Sequence, residues 1–250
     1  MSVANSSRNL ARTQADRADQ SRARILEAAI AEFSENGLAG ARTEQIAEAA
    51  GVNKALLYYY FQGKDALYSA AIESVAERVV ASSMAAISGE RSAGERLVNF
   101  VLNHFDRIHS QRTFQSLMQQ DMMRLRQGEA SALDPLVEKV FRPMMFAVKD
   151  LLAEGMSTGE LICVDEWQMM YAALGANVFY FLSGPVMGRL IGSNPLEPKA
   201  LKARRKAAIE YLGQTVFTDR RHGARVAERV LARTPMPKSG PMQQFGVKTK

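Results

Sequence analysis

The chain has 250 residues, 47% hydrophobic and 23% charged, a composition that supports a packed core of one large or two smaller domains. Its one cysteine, Cys163, excludes an internal disulfide framework and a Cys-rich zinc site, and fits a reducing cytoplasm. The net charge of +6 sits at one end: from Thr218 onward eight Lys/Arg face only Asp219 and Glu228, whereas the first 68 residues hold eight of each sign, so DNA binding by the N-terminal part must rest on geometry.

Residues 1–20 lack an apolar run of signal-peptide length and read as a flexible arm bearing Arg8, Arg12 and Arg17. A first helix is predicted from about Arg22 to Asn36, where Ile25, Ala29 and Phe33 repeat at four, with Gly37 as the left-handed residue behind it. A short second helix spans about Thr43 to Ala50, ending at Gly51. A third spans Asn53 to Phe61, ending near Gly63, and a longer fourth runs from Asp65 to Ile87. Ser92 to Glu95 is a capping box for a fifth helix with the stripe Leu97, Val101, Phe105 and Ile108. A sixth runs from Phe114 to Gln127. Asp134 and Pro135 place a cap and a first-turn proline before a seventh, which ends at Gly155.

Asp165 and Gln168 open an eighth, apolar helix. Its core, Trp167 to Leu182, is about 16 residues, short of the roughly 20 that span a bilayer. Asn177 interrupts it and Gly184-Pro185 ends it, so it reads as a buried helix rather than a membrane span. A loop with Pro185, Pro195 and Pro198 precedes a ninth helix, from Lys199 to Phe217. The basic stretch after Asp219 reads either as a solvated tail or as a further short helix. No strand pattern and no internal repeat is evident, so the fold class is all-α.

Two short helices joined at Ala50-Gly51-Val52-Asn53 outline a helix-turn-helix: Gly51 permits the turn, Val52 packs between the helices, and Asn53 caps the second. At about 100° per residue, Leu57 and Phe61 mark the buried face of the third helix. Tyr59 lies about 160° from it, and Tyr58 and Tyr60 sit on the shoulders. An outward phenol beside the apolar Ala55 and Leu56 suits a face that meets something, through phosphate hydrogen bonds or packing on sugar and thymine methyl. The plainer alternatives are that Tyr58 or Tyr60 packs on the fourth helix and that Lys54 is solvated.

Thr43 to Leu67 resembles the DNA-binding domain of TetR-family transcriptional regulators. The matching elements are Ile46-Ala47, Ala50-Gly51-Val52, Leu57-Tyr58, Tyr60-Phe61, Lys64-Asp65 and Leu67, within a resemblance over about residues 20–70. Outside it the likeness rests on helix count, length and a Gly159-Glu160-Leu161 turn. The resemblance implies an all-helical homodimer with an N-terminal three-helix domain (21–68) for a palindromic operator. It implies a C-terminal helical domain (69–218) for dimerisation and a small apolar or amphipathic effector, with residues 219–250 as a basic tail. Carried over by position, Thr43 resembles a phosphate-contacting position, with Arg42 and Glu44 beside it. Lys54, Ala55 and Leu56 resemble base-reading positions, Tyr58 and Tyr60 backbone contacts, and Lys64 a phosphate contact at the next helix's N-terminus. Tyr59 joins this DNA-facing set. Two features depart from the family: Ala41 stands where Thr is frequent, and Lys54 is the only cation in the recognition helix.

The C-terminal part is rich in methionine and aromatic residues. Phe114, Met118, Met122, Phe146, Trp167, Met170, Tyr171, Asn177 and Phe181 are candidates to line an adaptable effector cavity, with core packing as the alternative. Asn177 must find a polar partner, while Ala172, Gly175 and Ala176 suit close approach by a twofold mate. No catalytic constellation stands out. His104 and His109 are about 140° apart on one helix, wrong for a shared metal, and no phosphate-cradling loop is present. The expectation is a cytoplasmic, cofactor-free regulator, most often a repressor, and not an enzyme. The competing reading is an all-helical DNA-binding adaptor or structural protein without an effector.

Overall fold

The computed structural model describes residues 2–238, with side chains described for 16–111 and 115–238. Its regular elements are α1 (Ser2–Gly40), α2 (Thr43–Ala49), α3 (Lys54–Phe61), α4 (Lys64–Ile87), α5 (Ala93–Ser110), α6 (Arg112–Arg126) and α7 (Asp134–Leu136). A π-helical stretch (Val137–Phe141), α8 (Arg142–Ser157), α9 (Glu166–Ile191), α10 (Pro198–Thr215) and α11 (Arg220–Arg233) follow. Among the described residues there is no strand, only an isolated antiparallel bridge between Leu161 and Phe217. The chain divides into two compact units, Met1–Arg78 with Thr113–Glu138, and Val79–Arg112 with Lys139–Lys250.

The first unit is built on α1 to α4 with α6. Ile25, Ala29 and Phe33 of α1 are fully buried, as the spacing of four predicts, with Ile46, Leu57, Leu67 and Ile72. The Phe33 and Tyr68 rings meet edge to face at 5.0 Å. α1 starts at Ser2 rather than near Arg22, so the backbone of the expected arm is helical. Gly37 (φ 66°, ψ 176°) interrupts the helix shortly before its end at Gly40.

α6 is held by polar bonds. Ser116 Oγ and Gln120 Nε2 both donate to the Ser34 carbonyl, each at 3.1 Å. Asp121 is wholly buried. It accepts from Tyr68 Oη at 3.0 Å, Ser131 Oγ at 2.6 Å and the Leu133 N–H at 2.8 Å. Burial, with the Asp121 charge second, pushes the Tyr68 phenol up to about 12, so it stays protonated and donates.

The second unit surrounds α5, whose Leu97, Val98, Val101 and Leu102 pack with residues of α8, α9, α10 and α11. Ser92 caps α5 by accepting from Glu95 N–H at 3.3 Å. The expected return bond of the box gives way to ion pairs, because Glu95 is held by Arg233 and by Arg229 at 3.2 Å.

Three expectations are corrected. The seventh helix splits into α7, the π stretch and α8, because Pro143 has no N–H for the Lys139 carbonyl. Asp134 does not cap it: Leu133 takes the cap position, and the Leu136 and Val137 N–H groups close on the Leu133 carbonyl at 2.9 and 3.0 Å. Finally, α9 does not stop at Pro185 but carries it internally and ends at Gly192 in the left-handed conformation. Residues 220–233 form α11, capped by Asp219, with Val226, Ala227 and Val230 fully buried.

Candidate nucleic-acid interface

The helix-turn-helix is set by local backbone chemistry. Gly51 at φ 65° turns the chain out of α2, a conformation that side chains with a Cβ adopt at a cost. The Val52 N–H then closes on the Ala47 carbonyl at 3.0 Å. Asn53 Oδ1 accepts from the Leu56 N–H at 2.7 Å, starting α3 where the sequence predicts. α3 ends at Phe61, as expected, with Gln62 as its left-handed cap (φ 52°, ψ 15°). On α3, Leu57 and Phe61 are buried and Tyr59 is 78% exposed, with Tyr58 and Tyr60 at intermediate angles. Lys54 and Ala55 are exposed and Leu56 half-buried. The outer face of α3 is thus short, aromatic and poor in charge.

Several proposed contact residues already have partners. Thr43, nearly buried, shares a 3.3 Å hydrogen bond between its hydroxyl and that of Tyr58. Lys54 Nζ pairs with Glu44 Oε1 and lies 5.6 Å from the Tyr58 ring centre. The Glu44 carboxyl is held below its usual range by the Lys54 hydrogen bond, and the Lys54 ammonium is raised by the same bond. Lys64 donates to the Ala39 carbonyl at 3.0 Å, bracing the end of α1 against the start of α4. Arg42 precedes α2, its N–H on Glu32 Oε1 at 3.0 Å and its side chain exposed. Sequence reading noted Glu44 only as a neighbour of Thr43. The signal it missed is the ten-residue step that sets an acid in the first turn of α2 opposite the first residue of α3.

The effector candidates do not form one group. Met118 (buried) and Met122 (57% exposed) belong to α6 in the first unit, and the Phe114 side chain lies outside the described residues. In the second unit, α9 turns Met170 and Asn177 inward with Phe181 half-buried, while Tyr171 stands outward at 74% exposure. Phe146 of α8 and Trp167 touch edge to face at 5.7 Å. Asn177 finds its partners on α5: its Nδ2 lies 3.3 Å from the Val101 carbonyl and 3.4 Å from His104 Nδ1. Burial, with the Arg107 charge second, pushes the His104 imidazole down to about 3, so it is neutral. Among the described residues no cluster of His, Cys, Asp and Glu suits a metal ion, and no helix is long and apolar enough to cross a membrane.

Residues 25–71 match the family model for bacterial regulatory proteins of the tetR family. The HTH-type transcriptional repressor SCO4008 of Streptomyces coelicolor is 46% identical over 55 residues, 22% of this chain and 29% of that protein. The HTH-type transcriptional regulator RutR of Escherichia coli K12 is 53% identical over 51 residues, 20% of this chain and 24% of that one. The matched stretch thus spans less than a third of these relatives. In overall fold the chain is similar to the ketosteroid transcriptional regulator KstR2 of Mycobacterium tuberculosis, with a TM-score of 0.62 at 18% identity over 79% of this chain and 95% of that one. A capped helix-turn-helix in residues 25–71 thus carries the likeness to bacterial regulatory proteins of the tetR family, and the all-helical chain as a whole shares the fold of KstR2.

Proposed function

We propose that the chain is a transcriptional regulator, a repressor that binds a palindromic operator as a homodimer and is released by a small apolar or amphipathic effector. The observation that carries this reading is α3 itself. Leu57 and Phe61 anchor it while Lys54, Ala55, Tyr58 and Tyr59 are exposed on its other side. Such a helix enters a major groove. Lys54 meets guanine acceptors, Ala55 or Leu56 a thymine methyl, and Tyr58, Tyr60, Arg42, Thr43 and Lys64 the backbone.

Dimerisation is supported by α9, which is apolar on two faces. Met170, Asn177 and Gly184 point inward; Phe179, Leu182, Val186 and Leu190 are each more than 60% exposed. A row of that spacing suits the same face of a second copy. The effector would lie in the second unit against the inward side of α9, near Met170, Asn177 and Phe181, and would favour one arrangement of the two heads over another.

The test is a gel shift with the DNA upstream of the gene. Wild type is expected to retard it, and Tyr58→Ala with Lys64→Ala to weaken it and, through the one cation lost, to flatten the salt dependence by about one unit per head at unchanged helicity. Retardation that survives both changes would count against these contacts. A thermal-shift screen of apolar small molecules separates an effector-controlled regulator, whose midpoint rises with its ligand, from an adaptor without one.

A further inference from the structure

The first turn of α2 and the first residue of α3 bring opposite charges together on the exposed side of the helix-turn-helix. Glu44 Oε1 pairs with Lys54 Nζ, and Glu44 Oε2 accepts from Thr43 Oγ1 at 3.4 Å. Thr43 in turn meets the Tyr58 hydroxyl, and Lys54 lies against the Tyr58 ring. Both members of the ion pair are open to solvent, with side chains 48% (Lys54) and 64% (Glu44) exposed. Water and salt screen such a pair, so it exchanges readily for another partner. Lys54 is also the only cation in α3, so in the free protein the helix meant to face DNA carries no unmatched positive charge.

We propose that Glu44 is a specificity-determining residue that holds Lys54 in check on non-cognate DNA and yields it only to base acceptors in the cognate groove. This rests on the DNA-binding reading above. Non-specific binding is driven by free cations that displace counterions from phosphates. A lysine moving from a carboxylate to a phosphate exchanges one anion for another and leaves Glu44 unpaired beside the DNA backbone. The exchange gains little. At a site that offers guanine O6 and N7 in the groove, Lys54 gains directed hydrogen bonds that phosphate alone does not match. Glu44 thus lowers affinity for all sequences but lowers it most where no base acceptor waits, which widens the ratio between right and wrong DNA.

Fluorescence anisotropy over a salt series tests this with two duplexes: one enriched from a random pool by the wild-type protein, and its shuffled counterpart. Glu44→Gln keeps the shape and removes the charge. It is expected to tighten binding to the shuffled duplex by about tenfold near 0.1 M salt and to steepen its salt slope by about one unit per head. The enriched duplex should tighten less, so that discrimination falls. In a Lys54→Gln background the same change should do nearly nothing. Equal tightening on both duplexes would overturn the proposal. So would an undiminished effect without Lys54, which would mean plain repulsion of phosphate. If wild type enriches no sequence, the DNA-binding reading falls and Glu44's role with it; if wild type discriminates and Glu44→Gln discriminates equally, only the role of Glu44 falls.

Discussion

Asp121 shows how much can hang on one side chain. With no solvent access it gathers the Tyr68 phenol of α4 and, from the segment before α7, the Ser131 hydroxyl and the Leu133 N–H. Asp121→Ala removes the acceptor, leaves the Tyr68 hydroxyl buried without its partner and leaves the Leu133 N–H only Ser131 Oγ at 3.1 Å. The expected loss is about 3–5 kcal/mol, read by urea unfolding. His104 sets a pH dependence in the second unit. Its folded value is about 3, against an ordinary unfolded value of about 6.5. Between those limits the unfolded chain binds a proton that the folded chain refuses, so stability is full above about pH 6.5 and falls as pH drops toward 3. The thermal midpoint of His104→Gln should therefore decline less than that of wild type between pH 7 and pH 5.

Among the elements, those whose ends are fixed by local chemistry were legible in the sequence. Asn53, Ser92 and Asp165 each accept from a backbone N–H of the helix they open. The faces of α3 followed from its period alone. What escaped notice depends on partners distant in sequence. Asp134 looked like a cap, but Leu133, its N–H held by Asp121, takes the cap position and leaves Asp134 inside the first turn. Pro185 looked like a stop, yet α9 tolerates the lost hydrogen bond and continues to Ile191. α11 hid its role because its arginines dominated its composition, while its Val226, Ala227 and Val230 fill the core of the second unit. The crossing of α10 and α11 is set by Gly213 and Gly223, where a Cβ on Gly223 would stand 1.9 Å from the Gly213 carbonyl oxygen. Gly223→Ala should force the helices apart and cost about 1–3 kcal/mol, seen as a lower thermal midpoint with little loss of helicity in the folded state.

For the whole molecule, the decisive surface is the outward row on α9. Leu182→Asp replaces a 62%-exposed leucine in the middle of that row. In a lone chain such a surface change alters stability by less than about 0.5 kcal/mol. In a dimer it buries a charge at the interface, so sedimentation should show half the wild-type mass and gel shifts should lose the palindrome while the fold persists. The sequence reads α9 as a buried helix, yet only one of its faces is buried, because a core face and an exposed apolar face have the same composition. The effector candidates suffered from the same ambiguity: Tyr171 and Met170 are neighbours in sequence and opposites in exposure.

The burial of α11 has a practical side. The sequence invites trimming from Thr218, where the charges cluster and the chain looks dispensable. Such a shortened protein would lose the Arg229 and Arg233 partners of Glu95 and the Thr234 carbonyl that receives Arg205 at 2.9 Å. It would also open the groove in which Val226 and Val230 lie. Cut there, the protein should accumulate in the insoluble fraction on expression; cut after Lys238, it should remain in the supernatant.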